Sequence, residues 1–487
     1  MPSQDAAPET SAETALFLRL EGPEALAALK RHPALKAFKG RWQKHSHALR
    51  LLDDEAGSLR QAGWLCAAIA DTPLLLPLLP AAPPSPAIED LGKLQILARG
   101  QINSESRTLP FGKLHLHRVE LQGKGYHALQ IDGSRPDALR LAAALALDGN
   151  LRWDGTHPLL HLAQQLGLLP CRPLWANQIP LCLPETGPEA GLEELDALAA
   201  CAAMLHHALT QVDGNIACLR EARDSEGVHQ MRVAMRRLRS VLSLHKDLLP
   251  DAALQAVRAE LAWLNEPLGR RRDLDVFVEE TLSPLRQALP DVQALGDLQT
   301  VLDERRLAAH RALLSAFSSA RFTRLRLALD LLCDAPETAP PDQQDAPRAL
   351  QHAALLLQRR RRKLKKLGRH LPDLPEPALH ELRILAKKLR YAVEFYRPFF
   401  AHKPMRRQAQ AQIRALARLQ DALGALNDAA VGAQLLRNIL NDPQDPAGTA
   451  ITGWFAARQH LQLAGLPDAW EAYAELKPFW KHALPQD

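Results

Sequence analysis

In the first 190 residues, short runs such as KLHLHRVEL (113–121) and YHALQI (126–131) alternate apolar and polar positions, the period of half-buried strands. One stretch, PDALRLAAALAL (136–147), carries a helical period instead, so this part of the chain predicts an α+β domain. Beyond it the period is helical almost throughout. Apolar positions recur at helical spacing over 192–220, 226–249 and 252–263, and again over 348–368, 377–400 and 406–440, predicting an all-α region. Proline-rich stretches at 72–86, 183–188 and 333–347 punctuate the chain. The first reads as a linker or extended wrap, the second as a domain boundary and the third as a divider. The expected organisation is a domain over 1–183, a linker over 184–191 and a helical region over 192–487, with repeats at about 192–332 and 348–487.

The repeat is plainest in two segments, VHQMRVAMRRLRSVL (228–242) and LHELRILAKKLRYAV (379–393). Arg232, Arg236 and Arg239 follow His229 by three, seven and ten residues, and Arg383, Lys387 and Arg390 follow His380 at the same spacings. At about 100° per residue, four such positions fall within roughly 80° of arc, forming one stripe on each helix. Met231, Met235, Leu238 and Leu242 occupy the neighbouring sector, mirrored by Leu382, Ala386, Leu389 and Val393. Each helix therefore predicts an apolar seam with a ladder of cations along its margin. Leu268-Gly269 with Asp273, echoed by Leu423-Gly424 with Asp428, extends the repeat.

Charge strengthens this picture. The chain carries a formal net charge of +5, and residues 1–190 are close to neutral, so the excess lies in the helical part. Few acids stand at i+4 to pair with the ladder, and like charges so close repel unless an anion lies across them. Arginine can grip phosphate oxygens with a planar fork, lysine adds a point charge, and histidine titrates near neutrality. The ladder thus reads as an anion site, whereas a single such helix would read as a solvated face. Arg237, Lys246, Arg272, Arg362, Lys366, Lys388 and Arg397 are secondary candidates. Arg362 and Lys366 belong to the cluster QRRRRKLKKLGRH (358–370), and Arg272 to the run Arg270–Arg272, which reads as turn chemistry at a helix boundary.

The six cysteines, Cys66, Cys171, Cys182, Cys201, Cys218 and Cys333, show no C-x-x-C spacing, so neither a zinc site nor a disulfide framework is expected. No stretch offers the roughly 20 apolar residues of a membrane span, nor does MPSQDAAPETSAET have the form of a secretory leader. A cytoplasmic protein with reduced thiols, no metal, no cofactor and no membrane partner is the expectation.

The segments VHQMRVAMRRLRSVL, LGRRRDLDVF and LHELRILAKKLRYAVEFY resemble the CHAD family, named for its conserved histidines in an α-helical domain, over most of residues 192–487. That resemblance implies two pseudo-symmetric four-helix bundles around a basic cavity that binds inorganic polyphosphate, often on polyphosphate granules. It assigns the binding to His229, Arg232, Arg236, Arg239, His380, Arg383, Lys387 and Arg390. Asn427 stands where the first repeat has Arg272. The N-terminal part resembles a decayed CYTH or triphosphate-tunnel domain through ETALFLRLEGPEALAALKRHPAL and LLDDEAGSLRQAGWLC. Where that family places E-x-E-x-K this chain has Glu13, Ala15 and Phe17, where it places a later arginine pair Ala67 and Ile69, and where it places a second E-x-E Ala128 and Gln130. Non-catalytic polyphosphate binding is therefore the expected function. The alternatives are an inorganic triphosphatase with an atypical tunnel and non-specific nucleic-acid binding, which little aromatic interleaving supports. Oligomeric state is left open.

Overall fold

The computed structural model describes residues 15–78, 86, 93–170, 172–179, 181, 195–221, 225–334, 347–400, 402–440 and 445–484. Glu13, Cys171, Cys182, the linker at 184–191 and most of the divider at 333–347 lie outside the described residues. By its contacts the chain forms two compact units. The first takes Met1–Pro180, Leu209–Met231 and Leu314–Ala335; the second takes Leu181–Ala208, Arg232–Leu313 and Pro336–Asp487.

An antiparallel sheet of eight strands organises the first unit. In chain order the elements are β1 (Leu16–Leu20), α1 (Gly22–Lys30), α2 (Pro33–Lys36), β2 (Gln43–Asp53), α3 (Ser58–Gln61), β3 (Trp64–Ile69), β4 (Thr72–Pro77), β5 (Gln95–Leu109), β6 (Gly112–Leu121), β7 (Lys124–Gly133), α4 (Arg135–Leu145), β8 (Leu151–Arg152) and α5 (Pro158–Gln165). The strand order is β4-β3-β2-β5-β6-β7-β1-β8. Alternation decides which residues face inward: Leu49, Leu51, Ala67, Val119, Leu121, Tyr126 and Ala128 bury against Leu159, Leu162 and Ala163 of α5. The stretch read as a linker at 72–86 instead begins with β4. Its prolines are tolerated because β4 is an edge strand, whose outer side needs no N–H donors. Gly133, at φ 126°, lies so close to the β5–β6 turn that a Cβ there would meet the carbonyl oxygen of Phe111 at 1.9 Å.

Beside this core, the first unit buries a charged network. The carboxylate of Asp154 accepts from the Tyr126 hydroxyl at 2.7 Å and from Arg220 at 2.6 Å. Arg326 reaches Asp213 at 2.8 Å and Asp330 at 2.7 Å, with its guanidinium 4.3 Å from the Trp153 ring centroid. Burial pushes both the Asp154 and Asp213 carboxyl pKa values up and their arginine partners oppose it; the partners prevail at Asp154 and burial prevails at Asp213.

The helices that follow are α6 (Ala197–Glu221), α7 (Ser225–Leu244), α8 (Asp251–Phe277), α9 (Ser283–Ala288), α10 (Gln293–Phe317) and α11 (Ala320–Asp334). Then come α12 (Ala349–Gly368), α13 (Glu376–Tyr396), α14 (Lys403–Ala422), α15 (Gly424–Arg437), α16 (Pro446–Ala464) and α17 (Leu466–Ala474). The chain is thus an antiparallel-sheet domain followed by an all-α region, as its periodicity predicts. Boundaries differ in places: α7 ends at Leu244 and α13 at Tyr396, short of the expected 249 and 400. Helix α8 continues through Pro267, so Arg270–Arg272 lie within a helix and not in a turn. The expected helix at 406–440 is two helices, parted at Leu423-Gly424, where glycine weakens helix continuation.

Candidate functional site

Helices α7 and α13 form because their apolar positions recur at helical spacing, and both seams are buried. Met231, Met235, Leu238 and Leu242 are enclosed on α7, as are Leu382, Ala386, Leu389 and Val393 on α13. Burying the seam leaves the ladder at its margin. Arg232, Arg236, Arg383, Lys387 and Arg390 are half-buried there, and Arg239 is exposed. The two ladders meet around Lys387: its ammonium pKa falls to about 8, mainly through burial and then through Arg383, Arg236, Arg239 and Arg232. Cations from both helices therefore act in one field. An anion in that field would relieve the repulsion and raise the lysine's pKa again.

Arg232 is placed by α8. Gly269 lies so near that a Cβ would stand 3.0 Å from an Arg232 guanidinium nitrogen, and Asp273, one turn further along, reaches Arg232 at 3.8 Å. The repeated Leu-Gly with its downstream Asp is thus, in the first repeat, a seat for an arginine. Burial raises the Asp273 pKa, opposed by Arg232 and Arg272. Arg272 also pairs with Glu279 at 3.6 Å. In the second repeat nothing among the described residues stands within 4 Å of a Cβ on Gly424, and the side chains of Asn427 and Asp428 lie outside the described residues.

Aromatic rings and one acid steady the cations. Arg236 and Arg390 lie 5.4 and 4.8 Å from the centroid of buried Tyr391. Arg390 donates to Glu394 at 2.5 Å, and Arg237 approaches the same carboxylate at 3.5 Å while covering the Phe395 ring at 4.4 Å. Sequence reasoning passed over Glu394, although its position four residues after Arg390 was the available signal. Arg237, with a side chain only 12% exposed, is engaged in packing and pairing.

His380 is exposed in the first turns of α13, and half-buried His229 belongs to the first unit. Lys246 is exposed and pairs with Asp247 at 2.9 Å, and Arg397 donates to Gln410 at 2.6 Å. Lys366 and Lys388 are exposed on their helices. Arg362 lines a cleft with Arg359 and Lys363. In the sheet domain, Ala67 and Ala128 are core residues. Gln130 Oε1 accepts from His117 Nε2 at 2.8 Å, while Ser104 donates to His117 Nδ1 at 2.7 Å. Burial depresses the His117 pKa to about 4. Among the described residues no group of three or more His, Cys, Asp or Glu is placed to hold a metal, and no helix is long and apolar enough to cross a membrane.

Residues 203–437 match the CHAD domain family. The fold is similar to the crystal structure of the CHAD domain from the plant Ricinus communis, with a TM-score of 0.50 and 28% identity over 60% of this chain and 97% of that one. A weaker similarity, TM-score 0.41 and 19% identity, covers 58% of this chain and 99% of PptA from Streptomyces chartreusis. Two uncharacterized proteins of Mycobacterium tuberculosis, Rv2226 and MT2285, are each 29% identical over 170 residues, 34% of this chain. The match spans about a third of the length of those relatives, 33%.

Proposed function

The chain carries a CHAD domain over residues 203–437, and from that premise we propose that its helical part is a non-catalytic binder of inorganic polyphosphate, cytoplasmic and associated with polyphosphate granules. The observation that carries this reading is that α7 and α13 bring their ladders together, Arg236 and Arg390 sharing the Tyr391 ring at 5.4 and 4.8 Å, with Arg383, Arg236, Arg239 and Arg232 all lowering the pKa of half-buried Lys387. Asp273, Glu279 and Glu394 offset only part of that charge. A flexible polymer with a negative charge on every unit suits a ladder of this kind, because successive phosphates can meet successive cations without any base or side group being read.

Binding by six ladder cations should depend steeply on salt, with log K falling against log salt at a slope of about −4, by analogy with single-stranded polyanions. Charge reversal at Arg236, Arg239, Lys387 and Arg390 in the full chain should abolish retention of labelled polyphosphate while helicity is kept. Unchanged binding by that folded variant would refute the proposal. The same preparation should release no phosphate from tripolyphosphate with Mg²⁺ or Mn²⁺; release lost on substitutions confined to the sheet domain would favour the triphosphatase instead. A fluorescent fusion should mark granules only when residues 192–487 are present.

A further inference from the structure

Helix α12 takes part of its charge to a different place. His352, Leu355, Leu356, Arg359, Arg362 and Lys363 share one face of α12 and line an open cleft of about 810 Å³. Leu248, Asp247 and Leu484 supply its other walls. The lining is largely cationic and aliphatic, with the acid Asp247 and the amide Gln358 among it, and Leu355 is 52% exposed. Cleft volume and mixed lining are those of small-molecule sites. An inorganic polyanion would leave the leucines wet, whereas an anion with an apolar body would cover them.

His352 stands between the two kinds of wall, and its hydrogen bonds fix its tautomer. His245 is buried, with its pKa depressed to about 3, so its ring is neutral. Its Nδ1 lies 3.0 Å from the carbonyl oxygen of Val241, which can only accept, so Nδ1 carries the proton. His245 Nε2 must then accept from the Tyr396 hydroxyl at 2.9 Å, and the Tyr396 oxygen accepts from His352 Nδ1–H at 3.0 Å. Neutral His352 is left with a lone pair on Nε2. That nitrogen can accept from a protonated phosphate oxygen or, once protonated, donate to an ionised one. The charged groups about the ring are Asp247, from the segment after α7, and Arg359, from its own helix. Burial lowers the ring's pKa, Asp247 opposes this and Arg359 adds to it.

We propose that this cleft is a second anion site, composed of other residues than the ladder, which takes a small organic phosphate monoester. Its phosphate lies between Arg359, Arg362 and Lys363, its apolar body lies against Leu248, Leu355 and Leu484, and His352 meets the phosphate at the boundary. Asp247, paired with Lys246 at 2.9 Å, competes with the phosphate for the cationic wall.

The test titrates the full chain at fixed ionic strength with adenosine 5′-monophosphate, hexyl phosphate and inorganic phosphate, followed by calorimetry. Each ester that fits should bind about tenfold or more tightly than inorganic phosphate, the surplus coming from apolar burial. Substituting Arg359→Glu and Lys363→Glu together should remove ester binding without loss of helicity, and Asp247→Asn should tighten it. Lowering the pH from about 7.5 to 6 should strengthen binding more in the wild type than in His352→Gln, which corrects for titration of the ester itself. Binding of one ester only identifies the body as aromatic or aliphatic and supports the site. Inorganic phosphate binding as tightly as both esters would overturn it. So would ester binding that survives Arg359→Glu with Lys363→Glu but disappears when Arg236 and Lys387 are reversed. Because the ladder substitutions test polyphosphate binding separately, either reading can fail while the other stands.

Discussion

Replacing Lys387 with arginine should remove most of the pH dependence of polyphosphate binding between pH 7 and 9. The ligand-free lysine has a pKa near 8, held there by burial and by Arg383, Arg236, Arg239 and Arg232. A polyanion across the ladder returns the missing counter-charge, so the bound lysine should titrate near its ordinary value of 10.5. Linkage then fixes the magnitude. With pKa values of about 8 free and 10.5 bound, affinity should fall about tenfold from pH 7 to pH 9, and binding at pH 8.5 should take up about 0.75 proton. Both are upper limits, since full restoration of the pKa is assumed. Calorimetry at pH 8.5 in buffers of different ionisation enthalpy measures the uptake, and titrations at pH 7, 8 and 9 measure the slope. Arginine stays charged throughout this range. If the Lys387→Arg variant keeps the wild-type slope and proton uptake, the lysine is not the titrating group and the convergence of the ladders on it is refuted.

The same lysine bears on stability. Its folded pKa lies below the unfolded one, so the folded state holds fewer protons between about pH 8 and 10.5, and stability should rise with pH across that window. Accordingly Lys387→Met should raise the ligand-free Tm at pH 7, with a gain that shrinks toward pH 10; an equal gain at both would exclude the charge as its cause. Gly269→Ala should leave stability unreduced, because alanine gains up to about 1 kcal/mol in a helix interior and its Cβ meets only the flexible end of Arg232. Polyphosphate affinity should nevertheless drop as that guanidinium is displaced, and a variant binding like wild type would show that its placement is immaterial. Glu394→Gln should tighten polyphosphate binding by removing a negative charge, while costing about 1–3 kcal/mol in chemical denaturation, because Arg237 is left nearly buried without its counter-ion. Weaker binding with unchanged stability would contradict this account of Glu394.

Much of this was legible along the chain because periodicity is a local property. Strands β6 and β7, helix α4 and the seams and ladders of α7 and α13 lie where the alternation of apolar and polar residues puts them. Local signals were weaker where a residue's meaning depends on a distant partner. The prolines of β4 read as a linker, yet its neighbour β3 supplies a ladder that an edge strand can join from one side. Arg270–Arg272 read as a turn because Leu268-Gly269 looked like a helix stop. In the fold that glycine lies inside α8 and makes room for Arg232.

The sequence by itself determined the sheet-then-helix order, the repeat and the faces of the two basic helices, since each follows from spacing at 2 or 3.6 residues per turn. Only tertiary structure decided that Arg236 and Arg390 share the Tyr391 ring, that Arg237 and Arg390 share Glu394, and that Lys387 faces cations from a helix about 150 residues earlier. Charge interactions act through space and depend on burial, whereas sequence spacing orders charges only along a single helix.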